Sequence, residues 1–211
     1  MTDLIIVGAS GFGREVLQMV RDINAIHESY NVLGFIDDNL NALDNFECGG
    51  VKVLGKISDW KPIADERYAL AIAAPKIKEK VVTKLLSQGC EFETIFHPSS
   101  VVKDFTSIGE GVIFFARVGV SVNVEIGNFV FLNSDVGVGH DAKIGDFCTV
   151  MPKCNISGAT VLGRCVNVGA MAATLPGVKA GDYSTIGMNS AVIRNVEAGA
   201  TVMGVPAKRI L

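Results

Sequence analysis

The sequence has few of the residues that mark several large classes of protein. It holds one Trp and three His in 211 residues, and the His are far apart, so no metal site is expected. The five Cys are odd in number and show no paired spacing, which argues against a disulfide framework and favours a reducing compartment. The net charge is −3, with Lys and Arg scattered, so no nucleic-acid partner is expected.

Long apolar runs are also missing. No stretch approaches the ~18 consecutive apolar residues that a membrane-spanning helix needs. The start, Met1-Thr2-Asp3-Leu4, lacks the basic residues of a signal peptide. The sequence therefore predicts a protein without a membrane span and with a cytoplasmic location.

What the sequence has in abundance is a six-residue repeat. From residue 96 to residue 198 every sixth position is apolar except Thr174, and the residue four places after each is no larger than Val. Half of the positions directly after a repeat member are Gly, for example Gly109 and Gly127. A period of six fits neither a helix nor a plain sheet and is typical of a hexapeptide β-solenoid. We expect three hexads per coil and six coils, with the repeat phase holding to Ala198.

The repeat is absent before Phe96. There, apolar runs typical of parallel strands at 4–7, 31–36, 68–74 and 92–95 alternate with helical patterns after residue 13 and at 77–87. This alternation predicts a small α/β domain over residues 1–95, followed by the solenoid over residues 96–211. His97-Pro98 marks the border, and we expect a packing or capping role for His97.

A glycine-rich loop, Gly8-Ala9-Ser10-Gly11-Phe12-Gly13, joins the first strand to the first helix. Glycines let a backbone approach a ligand, and a helix N-terminus offers N–H groups to phosphate oxygens. Asp37 ends the second strand, where a carboxylate can accept hydrogen bonds from ribose hydroxyls. The spacing is GxxGxG rather than the dinucleotide GxGxxG, and a tight turn without a ligand is the alternative. The short domain favours a ligand with one nucleotide over NAD.

Two residues of the solenoid stand out as candidates for chemistry. His140 occupies a slot that points away from the interior, and Asp141 follows it; such a pair suits a general base, although a solvated surface His is the alternative. Asn133 stands where Gly is the commonest residue. It is either a ligand contact or a turn residue that tolerates positive φ.

Motifs along the whole chain resemble the sugar O-/N-acyltransferases of the sialic acid O-acetyltransferase type. This family includes bacterial acetyltransferases that act on nucleotide-linked 4-amino sugars. The resemblance implies a Rossmann-like domain followed by a left-handed parallel β-helix, assembled as a homotrimer with active sites between subunits. The motifs are the loop at 8–13, Phe35-Ile36-Asp37-Asp38, His97-Pro98-Ser99, Gly139-His140-Asp141, Ile144-Gly145-Asp146-Phe147 and Gly204-Val205-Pro206-Ala207-Lys208.

The resemblance also implies a role for particular residues. His140 is the expected general base, Asp141 orients it, and Asn133 contacts the sugar near its acceptor amine. The expected nucleotide contacts are Ser10, Gly11, Phe12, Asp37 and Asp38. Gly158, Ala170 and Met188 fall where acetyl-CoA lies, and Thr149 is near the thioester. Gly158 is also one of the expected substrate-binding residues. Some relatives have a His in place of Phe12 or Thr149, the usual Gly after the third strand is Ala73 or Ala74, and the usual Arg beyond it is Lys78.

The sequence therefore predicts an acetyl-CoA-dependent N-acetyltransferase with no metal cofactor. Its substrate would be the amino group of a UDP-, GDP- or dTDP-linked amino sugar in bacterial surface glycan or glycoprotein biosynthesis. Two alternatives remain. One is an O-acetyltransferase of a free sugar such as a sialic acid, and the other is a non-catalytic solenoid scaffold.

Overall fold

The N-terminal domain is a parallel sheet with two helices. The computed structural model describes residues 1–63 and 65–210 of the chain. The strand order is β3-β2-β1-β4-β5, with all neighbours parallel. The elements are β1 Thr2–Val7, α1 Gly11–Asn24, β2 Tyr30–Ile36, β3 Val53–Gly55, β4 Arg67–Leu70, α2 Pro75–Ser87 and β5 Glu91–Phe92. No helix within the described ranges is long and apolar enough to cross a bilayer.

The boundary between the two domains lies slightly earlier than the sequence predicts. The strand expected at 92–95 is two elements, because β5 ends at Phe92 and Ile95–Phe96 pairs with Ile113–Phe114 of the next coil. The backbone N–H of Ile95 donates to the carbonyl of Val112, so this residue already belongs to the solenoid. The short strand β3, at the edge of the N-terminal sheet, has no counterpart among the predicted strands.

The solenoid is a prism of three parallel sheets, which we call faces 1, 2 and 3. Up to the last coil, each strand pairs with the strand 18 residues further on, which confirms three hexads per coil. Face 1 contains 95–96, 113–114, 131–132, 149–150, 167–168, 185–186 and 201–203, with 208–209 antiparallel at its end; face 2 contains 101–102, 119–120, 137–138, 155–156, 173–174 and 191–192; face 3 contains 107–108, 125–126, 143–144, 161–162 and 179–180.

Tight stacking of the coils explains the glycine preference. A Cβ on Gly145 would lie 2.7 Å from the carbonyl carbon of Gly163 in the next coil, and one on Gly109 would lie 2.7 Å from that of Gly127. Most corners also have a residue with positive φ two positions after the site where Gly is common. Examples are Asp135 at 61° and Asp141 at 61°. The chain turns these corners through this left-handed residue, which Asp and Asn tolerate better than most residues.

The repeat phase ends one hexad earlier than predicted. Val196 forms a bridge to Ala180, 16 rather than 18 residues away, and Val202 pairs with Ile186 at the same spacing. The last coil is therefore two residues short, and Val196 and Val202 take the inward positions. Ala198, predicted as the last repeat member, is exposed because of this shift.

The two domains share extensive packing. On one side of face 1, Phe12 of α1 packs on Phe131, with 4.2 Å between the ring centroids. On the other side, Glu79 of α2 accepts hydrogen bonds from Arg164 Nε at 2.7 Å and from Tyr183 Oη at 3.2 Å. Partial burial raises the pKa of the Glu79 carboxyl, but hydrogen bonds from Arg164, Cys165 and Tyr183 lower it overall. These contacts fix the N-terminal domain on face 1.

Thr174, the one polar member of the repeat, has two hydrogen-bond partners inside the solenoid. Its hydroxyl lies 2.9 Å from that of Thr160 and accepts a bond from the backbone N–H of Ser157 at 3.0 Å. Both threonines are buried. The polar exception is therefore satisfied locally and does not mark a ligand site.

We expect Thr174→Val to destabilise the solenoid, although it restores an apolar repeat. The change leaves the Ser157 N–H and the Thr160 hydroxyl without their partner, which costs about 1–3 kcal/mol. Urea unfolding followed by circular dichroism measures the loss. Thr185→Val, at an outward position on face 1, is the control, and an equal effect of the two changes would contradict the prediction.

Candidate active site

Of the three glycines in the glycine loop, the fold requires glycine at two positions and not at the third. Gly8 has φ of 102°, and a Cβ on Gly13 would lie 2.0 Å from the carbonyl oxygen of Gly8. Gly11 has neither constraint, since its Cβ position is 3.8 Å from the nearest heavy atom, on Arg14. The tight-turn alternative therefore explains Gly8 and Gly13 but leaves Gly11 unexplained.

Ser10 and Phe12 have different surroundings in this loop. Ser10 is the exposed N-cap of α1, and its side chain makes no capping hydrogen bond. The N–H groups of the first turn of a helix have no acceptor within the helix, so they are available to an anion. Phe12 packs against Phe115 and Phe131 of the solenoid and thereby holds the loop in position.

Asp37 and Asp38 already have backbone partners. Asp37 accepts hydrogen bonds at 2.8 Å from the backbone N–H of Ala9 in the glycine loop and from that of Asn39. Asp38 accepts one at 2.8 Å from the N–H of Ser58. The first of these bonds ties the end of β2 to the loop, so Asp37 shapes this edge of the sheet whether or not it also contacts a ligand.

His140 and Asp141 form an exposed pair where the chain turns from face 2 to face 3. The Nδ1 atom of His140 lies 2.7 Å from Oδ2 of Asp141, and their side chains are 64% and 56% exposed. With the Nδ1 proton directed at the carboxylate, Nε2 has a free lone pair. This arrangement is that of an oriented general base.

Gly158 lies one coil beyond His140, directly under the imidazole. A Cβ at this position would be 2.7 Å from Nε2 of His140 and 2.8 Å from its Cε1. Any larger residue would therefore displace the ring. Its contact with the base gives Gly158 a reason to be glycine that the sequence does not reveal.

Asn133 lies at a different corner from His140, where face 1 turns into face 2. It is 9% exposed, and its Oδ1 accepts a hydrogen bond from the Ser134 N–H. Asn133 begins a turn, since its carbonyl accepts the N–H of Val136, but it does not have positive φ, so tolerance of positive φ does not explain the Asn. Asn133 borders a cavity of about 270 Å³ between α1 and the solenoid, together with Gln18, Asp22 and His97. His97 Nδ1 accepts a bond from the Ser99 N–H, as expected of a capping residue.

The expected acetyl-CoA contacts fall into two groups. Ala170 and Met188 lie at the corner between faces 1 and 2, and Met188 is 57% exposed. Thr149 is 1% exposed and lies between the domains, with its hydroxyl donating to the carbonyl of Ala73 at 2.6 Å. This hydroxyl has no free face for a thioester, so the structure gives Thr149 an interface role instead.

Arg194, which is not among the predicted site residues, lies near the end of the line of outward residues that contains His140. The strands of face 2 are in register, so the residues two places after them form a row along one edge of the prism. Arg194 also borders a cavity of about 330 Å³ at the C-terminal end. The 18-residue spacing is the signal that finds it. The row is Asp104, Val122, His140, Gly158 and Pro176, and Arg194 follows it in the shortened last corner.

The cysteines that the structure describes lie in the interior and are not part of a cluster of three or more possible metal ligands. All five Cys are buried and free, and the Cys148 and Cys154 thiols donate to the carbonyls of Gly163 and Gly169. Burial raises the pKa of both thiols, to about 12 and about 11. Among residues 1–63 and 65–210, no three His, Cys, Asp or Glu side chains could together hold a metal ion.

Comparison with known proteins gives matches over the whole chain. Residues 3–85 match the PglD N-terminal domain family. GDP-perosamine N-acetyltransferase of Escherichia coli O157:H7 is 35% identical over 97% of this chain and 95% of its own length. PerB from Caulobacter crescentus, solved in complex with CoA and GDP-perosamine, superposes with a TM-score of 0.88 at 26% identity, covering 99% of this chain and 97% of PerB. WeeI from Acinetobacter baumannii AYE gives 0.87 at 29% identity, covering both chains completely.

These matches define the class of two-domain acetyltransferases with a hexapeptide-repeat solenoid. Within that class, the chain belongs to the family of GDP-perosamine N-acetyltransferase, in agreement with the motifs in the sequence. The fold class predicted from the sequence, a Rossmann-like domain followed by a left-handed parallel β-helix, is confirmed.

Proposed function

We propose that the protein transfers an acetyl group from acetyl-CoA to the amino group of GDP-perosamine or a closely similar nucleotide-linked 4-amino sugar. The observation that carries the proposal is the exposed His140–Asp141 pair, 2.7 Å apart, above Gly158. It is supported by the relative at 35% identity, whose name states this reaction. A scaffold without catalysis gives no reason for an oriented imidazole at a solvent-exposed corner.

The acetyl transfer would proceed by general-base catalysis. The sugar amine attacks the thioester carbonyl carbon, and His140 Nε2 accepts a proton from the amine. A C–N bond forms, the C–S bond breaks, and the CoA thiolate leaves and takes up a proton. Asp141 stabilises the imidazolium through Nδ1. Base assistance of this kind contributes roughly 10²–10⁴-fold, and holding both substrates together contributes much of the remaining acceleration.

Charges along the row of His140 suggest the direction in which acetyl-CoA lies. Arg194 follows the strand 191–192, which is three strand spacings, or about 14 Å, beyond the strand that precedes His140. The pantetheine arm has about the length of four extended residues, roughly 14 Å, which matches this separation. Asp104 lies in the opposite direction, where it would repel a diphosphate. We therefore orient the thioester at His140 and the phosphates toward Arg194.

The same geometry favours a homotrimer with sites between subunits. Asn133 and the glycine loop lie at the edge that face 2 shares with face 1, and His140 lies at the edge that face 2 shares with face 3. One chain therefore does not bring them together. Face 1 is covered by the N-terminal domain, and face 3 has the Glu125–Lys143 ion pair. Face 2 has small or uncharged outward residues, namely Val101, Gly119, Gly137, Asn155, Ala173 and Ala191. Packing of face 2 around a three-fold axis would bring His140 of one subunit close to Asn133 of the next.

The general-base role predicts that His140→Asn lowers kcat by roughly 10²-fold or more. The KM for acetyl-CoA should stay nearly constant, because the imidazole acts on the amine rather than on CoA binding. Steady-state kinetics with GDP-perosamine measures both quantities. His27→Asn, at an exposed position in the N-terminal domain, is the control. A His140 variant within a few-fold of the wild type would contradict the role.

The nucleotide site predicts that Gly11→Val raises KM for the sugar nucleotide at least several-fold. The fold has room for this side chain, so the effect comes from crowding of the ligand. The KM for acetyl-CoA should be unchanged. Ala25→Val, at the other end of α1, is the control. If a folded Gly11 variant has wild-type KM values, the nucleotide is not held here, and O-acetylation of a free sugar becomes the better proposal.

The trimer predicts that a charge on face 2 disrupts both assembly and activity. Ala173→Arg introduces a cation into the proposed interface, where no carboxylate on this face compensates for it. Light scattering with size exclusion should give three times the mass of one chain for the wild type and a smaller mass for the variant. Val161→Arg, at the matching position on face 3, should remain trimeric. A fully active wild-type monomer would be incompatible with a site between subunits.

A thermal-shift panel with UDP-, GDP- and dTDP-sugars identifies the nucleotide. A ligand that binds only the folded state raises the unfolding midpoint, and the shift grows with its affinity. GDP-perosamine should give the largest shift among the three nucleotide classes. An equal response to all three would show that the base is not recognised.

A further inference from the structure

Lys78 is a fully buried amine that the proposed reaction does not use. It lies in α2 and is 1% exposed. Its Nζ donates to the carbonyl of Cys148 at 2.9 Å and to Oγ1 of Thr149 at 3.1 Å, both in the solenoid. No ion pair within the described residues includes it. Lys78 stands where the family resemblance gives an Arg, and its amine is directed at the solenoid.

The hydrogen bonds continue from Lys78 through Thr149 back to the N-terminal domain. The Thr149 hydroxyl has one proton, which it donates to the carbonyl of Ala73 at 2.6 Å. Its lone pair is therefore the acceptor for the amine of Lys78. The chain of bonds leaves α2, passes through one solenoid side chain and ends at the loop that precedes α2.

Ala73 belongs to the loop 71–74, which lies beside the glycine loop. The N–H of Ala71 donates to the carbonyl of Val7, and a Cβ on Gly8 would lie 2.8 Å from the carbonyl oxygen of Ala71. Both loops follow parallel strands at their carboxyl ends. This is the edge where ligands bind in open α/β sheets.

An apolar residue would be less costly than lysine at position 78. Burial lowers the pKa of the Lys78 amine to about 7, which measures how poorly the site stabilises its charge. A buried charge without an ionic partner carries a desolvation cost that an apolar side chain of similar volume does not carry. Stability alone therefore does not account for this lysine, whereas two directed hydrogen bonds across the domain boundary do.

We propose that Lys78 is a positioning residue that holds the loop 71–74 in place through Thr149 and thereby shapes the sugar-nucleotide site. The proposal deepens the proposed function and rests on it for its kinetic test. It assigns the domain interface a role in substrate affinity at the nucleotide edge, at a distance from the reacting atoms at His140.

The kinetic test uses Lys78→Met, which keeps the volume and removes the donors. We expect KM for the sugar nucleotide to rise several-fold, with KM for acetyl-CoA, kcat and the unfolding midpoint nearly unchanged. Thr149→Val breaks the same chain of bonds at its centre and should raise KM for the sugar nucleotide by a similar factor. Its unfolding midpoint should also fall, because the Lys78 amine and the Ala73 carbonyl lose their partner. The double variant should add little to either change, because both remove one pathway. Lys78→Arg retains donors and should recover most of the affinity.

Lys80→Met, at an exposed position on the same helix, is the matched control. A folded Lys78→Met variant with wild-type sugar-nucleotide KM would overturn the proposal. So would a rise in both KM values together with a lower unfolding midpoint, since that pattern indicates a purely structural interface.

Hydrogen exchange separates failure of this inference from failure of the proposed function. If the wild type does not turn over sugar nucleotides, the proposed function is wrong, but the loop can still be followed in the full-length chain. Lys78→Met should then reduce amide protection at residues 71–74 and 8–13 selectively. Unchanged protection in both loops would overturn the positioning role.

Discussion

The structure depends on the close stacking of its coils. Successive coils in a parallel solenoid are about 4.8 Å apart, so at many corners a side chain directly after the strand would meet the backbone of the next coil. Gly145 and Gly163 meet this constraint, and a left-handed residue completes most corners. The stacking also aligns chemically distinct residues in straight rows. His140, Gly158 and Pro176 share one row because the register of face 2 is constant.

The sequence predicts the solenoid well because the repeat is a direct record of this stacking. It predicts less well where local and long-range forces compete. Ile95 looks like the end of the α/β domain, yet its backbone pairs with the next coil. Ala198 keeps the six-residue phase, yet Val196 occupies the inward position predicted for it, because the preceding corner is two residues shorter. A periodicity indicates which residues repeat, but it does not indicate where a coil loses two residues.

The candidate site is only partly visible in the sequence. The His140–Asp141 pair is adjacent along the chain, so its geometry follows from one corner. The sequence predicts that Thr149 contacts acetyl-CoA, and Lys78 replaces the usual Arg of the family, but both are buried between the domains. Their contacts are separated by about seventy residues in sequence. Only the packing of α2 on face 1 determines that these side chains face each other rather than a substrate.

The docking of α2 on face 1 also affects how the molecule unfolds. Solenoids without such a brace are one-dimensional, since each repeat contacts only its neighbours and end coils can fray independently. Here Glu79 contacts Arg164 and Tyr183, one coil apart, while Lys78 reaches Cys148 and Thr149. Three successive coils are thus joined to one helix of another domain. Opening any of these coils breaks a contact with α2, which couples their stability to that of the N-terminal domain.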